Sequence, residues 1–197
     1  MNTNSADALP TYLQWLGFGL AVFSAVGVLL VLPTLLQIFL GGPQLHKEFD
    51  SHDEDGSRLL LVFMKNLPVE KPFGRFALVK RDTIESLAVT FQILDACRQS
   101  IIVPVHQARI QSGEDSDELG RYRIRLPPTF SVGASIAVAM WNAASGRAEI
   151  PPTQGKQSVP LDPGIYEARI IFHIDGRRND VAKNFSVGQT VKELEWL

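Results

Sequence analysis

Hydropathy divides the chain into an apolar start and a long alternating remainder. From Tyr12 to Leu40 no charged residue appears, and the run exceeds the roughly 20 residues that cross a bilayer core. Tyr12 and Trp15 stand at its start, where interfacial aromatics lie. Pro33 divides it into a span over Tyr12–Leu32 and a turn or kinked extension over Thr34–Leu40. Tilt or a kink takes up the surplus length. Gly41, Gly42 and Pro43 then break the helix and leave almost no linker. Beyond them the period changes to two. In Leu87–Ile93, Val89, Phe91 and Ile93 alternate with Ala88, Thr90 and Gln92. In Tyr122–Leu126, Tyr122, Ile124 and Leu126 alternate with Arg123 and Arg125. Tyr166, Ala168, Ile170, Phe172 and Ile174 oppose Glu167, Arg169 and His173, and a turn at Asp175–Asn179 leads to Val181–Val187, which is a hairpin. Further strands are predicted at Leu45–Phe49, Leu59–Lys65, Arg75–Lys80, Ile101–Ile110 and Ser135–Trp141. The total is about nine strands, with no long helix after the apolar run.

Short strands separated by turn clusters, without alternating helices, predict an antiparallel β-sandwich. The expected organisation is a tail over 1–11, a transmembrane α-helix over 12–40 with a kink or break at Pro33, a break at 41–43, and one all-β sandwich domain over 44–197. The stretch Leu161-Asp162-Pro163-Gly164-Ile165-Tyr166, followed by an alternating strand, resembles the tyrosine corner of immunoglobulin-like domains. The resemblance covers Leu161–Val187 and implies an immunoglobulin-like architecture. The cysteine pair and core tryptophan of antibody domains are not recoverable, because Cys97 is the only cysteine. More loosely, one anchor helix, a short break and an immunoglobulin-like tail resemble bacterial membrane-anchored proteins of unassigned function. That likeness implies no activity. An internal echo pairs Phe130-Ser131-Val132-Gly133 and Trp141 with Phe185-Ser186-Val187-Gly188 and Trp196, and reads as a duplication or as coincidence between similar strands.

Within the apolar run, Gln14, Gly17, Ala21, Ser24 and Val28 recur at three- and four-residue steps, and Ala25 extends this small-residue stripe. In lipid, small residues let helix backbones approach, so the stripe is a candidate docking face for another helix or a second copy. Its alternative is the ordinary abundance of Gly, Ala and Ser in membrane helices. A cleaved secretory signal fits less well, since the first eleven residues hold no Lys or Arg. Lys47 and Arg58 follow the span and no basic residue precedes it, so the positive-inside rule places the C-terminal domain in the cytoplasm.

A net charge of −2 gives no broad attraction for nucleic acid, which is not expected as a partner. One cysteine excludes an internal disulfide and a thiolate cluster. A lone thiol of this kind is usually buried. Ser51-His52-Asp53-Glu54-Asp55-Gly56 has the outline of a calcium loop, but Ser51 and Val62 stand where its first carboxylate and its bidentate Glu belong. A solvated turn is the better reading. Glu114, Asp115, Asp117 and Glu118 form a second acidic loop without ligand spacing. His46, His52, His106 and His173 are scattered, with His106 and His173 read as surface residues, and no nucleophile elbow, phosphate loop or dinucleotide fingerprint appears. Arg121, Arg123 and Arg125 line one strand face and read as solvated, neutralised by the acidic loop before them. No catalytic residue, metal site or cofactor is assigned. The leading expectation is a non-catalytic, membrane-anchored accessory or scaffold subunit that docks on membrane protein partners. The alternatives are a ligand-sensing or carbohydrate-type module using Trp141 or Trp196 as an aromatic platform, and, last, a hydrolase assembled from distant strands.

Overall fold

The computed structural model describes residues 8–69, 79–112, 122–131, 133–152 and 157–197. The chain forms two compact units, Met1–Gly42 with Val69–Arg81, and Pro43–Pro68 with Asp82–Leu197. The first holds α1, Ala8–Leu40, a helix of 33 residues. At 1.5 Å per residue this is about 50 Å of helix. Within it Trp15–Leu40 carries no charged residue and none of its described side chains is buried, and the run is long and apolar enough to cross a membrane. The helix runs unbroken through Pro33, which excludes a break there. The imide removes one hydrogen-bond donor and leaves the surrounding turns helical.

The end of α1 is built by a distant piece of chain. The Gly41 amide donates to the Gln37 carbonyl at 2.8 Å, closing the last turn. The Gln37 side chain then holds the backbone of Lys80 from both sides, with Nε2 donating to Lys80 O at 2.8 Å and Oε1 accepting from Lys80 N at 3.0 Å. Arg81 Nη1 donates to the carbonyls of Leu40 and Gly42 at 2.8 and 2.9 Å. Carbonyls that have no partner inside a helix are thereby satisfied by a cation, which the helix dipole also favours at this end. Arg75–Lys80 was expected as a strand. Residues 75–78 lie outside the described set, and Val79 and Lys80 are not in a strand, because the backbone of Lys80 is engaged by Gln37.

The second unit is a mostly antiparallel two-sheet β domain. One sheet runs in the order β1 (Leu45–Glu54), β2 (Ser57–Asn66), β7 (Ala134–Asn142), β8 (Arg147–Ile150), β9 (Val159–Pro160), with β5 (Gln111–Ser112) also on β7. The other runs β12 (Glu195–Trp196), β11 (Arg177–Val187), β10 (Gly164–Ile174), β3 (Ile84–Asp95), β4 (Ile101–Gln107), with β6 (Ile124–Leu126) also on β3. A 3-10 turn at Val191–Glu193 precedes β12. The inner faces meet in one core, with Leu60, Val62, Met64, Ile136 and Val138 from the first sheet and Val89, Phe91, Ile93, Ile170 and Phe172 from the second. In β7 the register slips opposite Leu60/Leu61, so Val138 and Ala139 both turn inward. Such a bulge bends the strand and increases its twist.

Two hairpins share one device. Asp55 and Gly56 join β1 to β2 with φ of 46° and 79°, and Asp175 and Gly176 join β10 to β11 with φ of 48° and 81°. Positive φ at both central positions matches the twist of the flanking strands, and Asp-Gly is among the pairs that reach it most cheaply. The Ser51–Gly56 acidic run is therefore the end of β1 and its hairpin turn. The second turn is two residues, and β11 starts at Arg177.

The two sheets are also tied at one side by polar contacts. Trp196 Nε1 donates to Asp50 O at 3.0 Å, and its ring meets Phe49 and Phe185 edge-on at 5.1 and 5.8 Å. Arg58 Nη1 donates to Lys192 O at 3.2 Å. On edge strand β1, Lys47 points inward between Leu45 and Phe49, donates to Asn179 Oδ1 at 2.7 Å and lies 4.8 Å from the centre of the Phe172 ring. Burial lowers the pKa of its amine. An inward lysine on an edge strand discourages pairing with another chain.

Candidate functional site

The residues of the sequence-predicted helix face sit on α1, and the described ones are exposed: Gly17, Ala21, Ser24 and Val28. The side chains of Gln14 and Ala25 lie outside the described set. Toward the C-terminal half the face deepens into a shallow groove of about 440 Å³ lined by Ser24, Gly27, Val28, Val31, Leu32 and Leu35. Those positions advance by three and four, so they share one side of the helix. The floor is low because Ser24 is small and Gly27 has no Cβ, and a Cβ built on Gly27 meets nothing within 4 Å. Gly27, Val31, Leu32 and Leu35 were not in the predicted stripe. The Ser24-x-x-Gly27 spacing carried the signal for them.

A second concavity lies on the outer face of the sheet formed by β4, β3, β10 and β11. It is an open trough of about 810 Å³ lined by Thr90, Gln92, Val105, Arg169, His173, Arg178, Asp180 and Ala182 among others. Register explains the grouping, since Thr90, Ile171 and Asp180 face one another across three strands, as do Gln92, Arg169 and Ala182. Arg178 donates from Nε and Nη2 to both carboxylate oxygens of Asp180 at 2.6 to 3.0 Å. These bonds hold the Asp180 carboxyl below the usual range and raise the guanidinium pKa. Arg169 pairs with Glu167, and His173 Nε2 lies 3.4 Å from Thr90 Oγ1. The pairs use up the charge, so the trough offers hydrogen bonds and apolar surface rather than a strong field.

Two buried polar groups lie away from both surfaces. Asn66 is fully buried, its Oδ1 accepting from Gln44 N at 3.2 Å and its Nδ2 donating to Asp82 O and Leu126 O at 2.8 and 3.1 Å. Glu149 is 4% exposed and accepts from Ser145 Oγ at 2.8 Å and Arg147 Nε at 3.3 Å. Its pKa is lowered, first by the Ser145 bond, then by Ser158, against the opposing effect of burial. Asn66 fastens three backbone groups and Glu149 holds two side chains, and neither residue lines the groove or the trough.

Several sequence readings change. Trp141 is 8% exposed and belongs to the core, and Trp196 is engaged with Asp50, Phe49 and Phe185, so neither forms an aromatic platform. Cys97 is exposed, on the turn after β3, where its amide donates to Asp95 Oδ1 at 2.9 Å, so the expected buried thiol is not observed. His106 is partly buried against the Phe91 ring, 4.0 Å between centroids, rather than on the open surface. Arg125 pairs with Glu85 on neighbouring β3 at 2.9 Å, and the acidic loop proposed to neutralise it lies outside the described residues. Arg121, Glu114, Asp115, Asp117 and Glu118 lie outside the described residues. Phe130 is 71% exposed and precedes β7, whereas Phe185 is fully buried within β11, so the two halves of the echo occupy unlike positions. Among the described residues no group of three or more His, Cys, Asp or Glu side chains is placed to hold a metal ion. Set against known families and curated proteins, the chain matches no family model and no curated sequence.

Proposed function

We propose that this protein is a single-pass, membrane-anchored accessory or scaffold subunit, non-catalytic, whose helix docks on another membrane helix. The observation that carries the reading is the uncovered Trp15–Leu40 run, with a groove along one side of it. Exposed apolar surface of that extent is not left to water. In lipid, docking is driven by close packing into such grooves rather than by hydrophobicity. Replacing Gly27 by Ile puts bulk into the groove at a position where an added Cβ meets nothing within 4 Å. Native mass measurement after mild detergent extraction should find the unaltered protein in a complex, with itself or another subunit, and the variant as a monomer. A monomer in both cases refutes the docking.

The β domain on this reading is immunoglobulin-like and cytoplasmic. The bond from Tyr166 Oη to Asp162 O at 2.7 Å, four residues back, supports the first point, because it is the contact a tyrosine corner makes. For the second, the sole cysteine supplies a test, since Cys97 is exposed. A membrane-impermeant maleimide should label Cys97 in inverted vesicles and not in intact cells. The reverse pattern places the domain on the other side. A second reading, a ligand-binding module, is favoured by the trough around Arg169, His173 and Arg178. Calorimetric titration with a panel of sugars tests it, and an Arg169→Ala variant should lose any heat observed.

A further inference from the structure

We propose that the C-terminal end of α1 carries a cationic collar, centred on Lys80 and Arg81, that selects an anionic lipid surface. The inference rests on α1 lying in a bilayer. Its first ground is placement: Arg81 is bonded to the carbonyls of Leu40 and Gly42, and the backbone of Lys80 is held on both sides by Gln37. These bonds engage only the backbone of Lys80, whose side chain is exposed. Two consecutive cations are thus fixed at the end of the apolar run, directly after Ile38 and Phe39, which are 68% and 79% exposed. Along the helix, apolar surface gives way to positive charge, as acyl chains give way to headgroup phosphates.

The second ground is the distribution of charge. Of the chain's 19 basic and 21 acidic residues, the unit containing α1 holds four basic (Lys71, Arg75, Lys80, Arg81) and two acidic (Asp7, Glu70), so it is cationic. The β domain holds the other fifteen and nineteen, and is anionic. A protein that is acidic overall therefore keeps its positive balance in the piece that contains the apolar helix. Near an anionic leaflet each such cation multiplies the preference for negative headgroups about fivefold.

The test uses the full chain in nanodiscs of mixed phosphatidylcholine and phosphatidylglycerol, with the lipids retained on partial delipidation counted by native mass spectrometry. Phosphatidylglycerol should be enriched several-fold over its share in the disc, and the enrichment should fall as salt is raised. Lys80→Gln should cut it about fivefold while leaving the helix end intact, because Gln37 binds only the backbone of that residue. Retained lipid that mirrors the disc composition overturns the proposal, as does an enrichment indifferent to both Lys80→Gln and salt. Failure of the underlying membrane reading looks different, since the protein then never floats with vesicles.

Discussion

Asn66 offers the sharpest test of how the β domain is held together. It ends β2, is fully buried, and spends its amide on three backbone groups from separate parts of the chain. In an Asn66→Ala variant the amide of Gln44, just before β1, lies near the surface and regains water at little cost. The carbonyls of Asp82 and Leu126 lose a donor, and the bond to Leu126 is buried. A buried group left unpaired costs about 1–3 kcal/mol, so the variant should lose about 3 kcal/mol in all. Asn66→Asp keeps the acceptor for Gln44 but sets a carboxylate against two carbonyls. Its folded pKa is thereby raised, the folded state binds a proton more readily than the unfolded chain, and stability should recover as pH falls. Urea unfolding of the full chain in micelles, followed by the fluorescence of buried Trp141, measures both variants. An Asn66→Ala protein within about 0.5 kcal/mol of the unaltered one would show that the amide is incidental.

Three further outcomes are expected. Tyr166→Phe should cost about 1 kcal/mol at neutral pH, since the hydroxyl bond to Asp162 is lost while the ring still stacks on Phe185. Burial, then Asp162 and Asp95, raise the pKa of Tyr166 above 10.0, so its contribution is complete below pH 10 and is lost as pH climbs further; the gap from the Phe variant should narrow there in alkaline unfolding curves. Glu149→Gln should destabilise at pH 7, and because the folded carboxyl lies below its ordinary 4.5, the difference should be full above that pH and fade as acid titrates the folded group. Gly176→Ala should cost about 1 kcal/mol by thermal denaturation, a backbone penalty alone, since φ is +81° and the added Cβ meets nothing within 4 Å.

What the sequence made legible follows from which forces are local. The strands from Leu87, from Tyr166 and from Val181 were readable because each has a buried face that alternates, and the observed β3, β10 and β11 contain them. Arg147–Ile150 was missed because three of its four residues are buried, which leaves no alternation to detect. Val159–Pro160 and Glu195–Trp196 are two residues each, too short for any period. The Asp55-Gly56 turn was legible as a solvated turn, because the carboxylates around it lack the spacing of a calcium loop. Ser24 and Val28 of the small-residue stripe also line the groove, while the grip of Gln37 and Arg81 could not be read, as it joins positions about 40 apart through side chains with no pattern. Lys47 was findable, since period two places it beside Leu45 and Phe49.

Strand β3 has a consequence for how the domain is made. Along one edge it pairs with β10, joining residues about 80 positions apart, and its other edge is divided between β4 and β6. The β1–β2 and β10–β11 hairpins close over two residues and can form in microseconds. The central strand must wait for partners that arrive much later in synthesis, so folding should be slow, in milliseconds to seconds. Until β10 emerges from the ribosome, a greasy strand of 12 residues has an unclaimed edge, and chaperone protection is most needed in that interval.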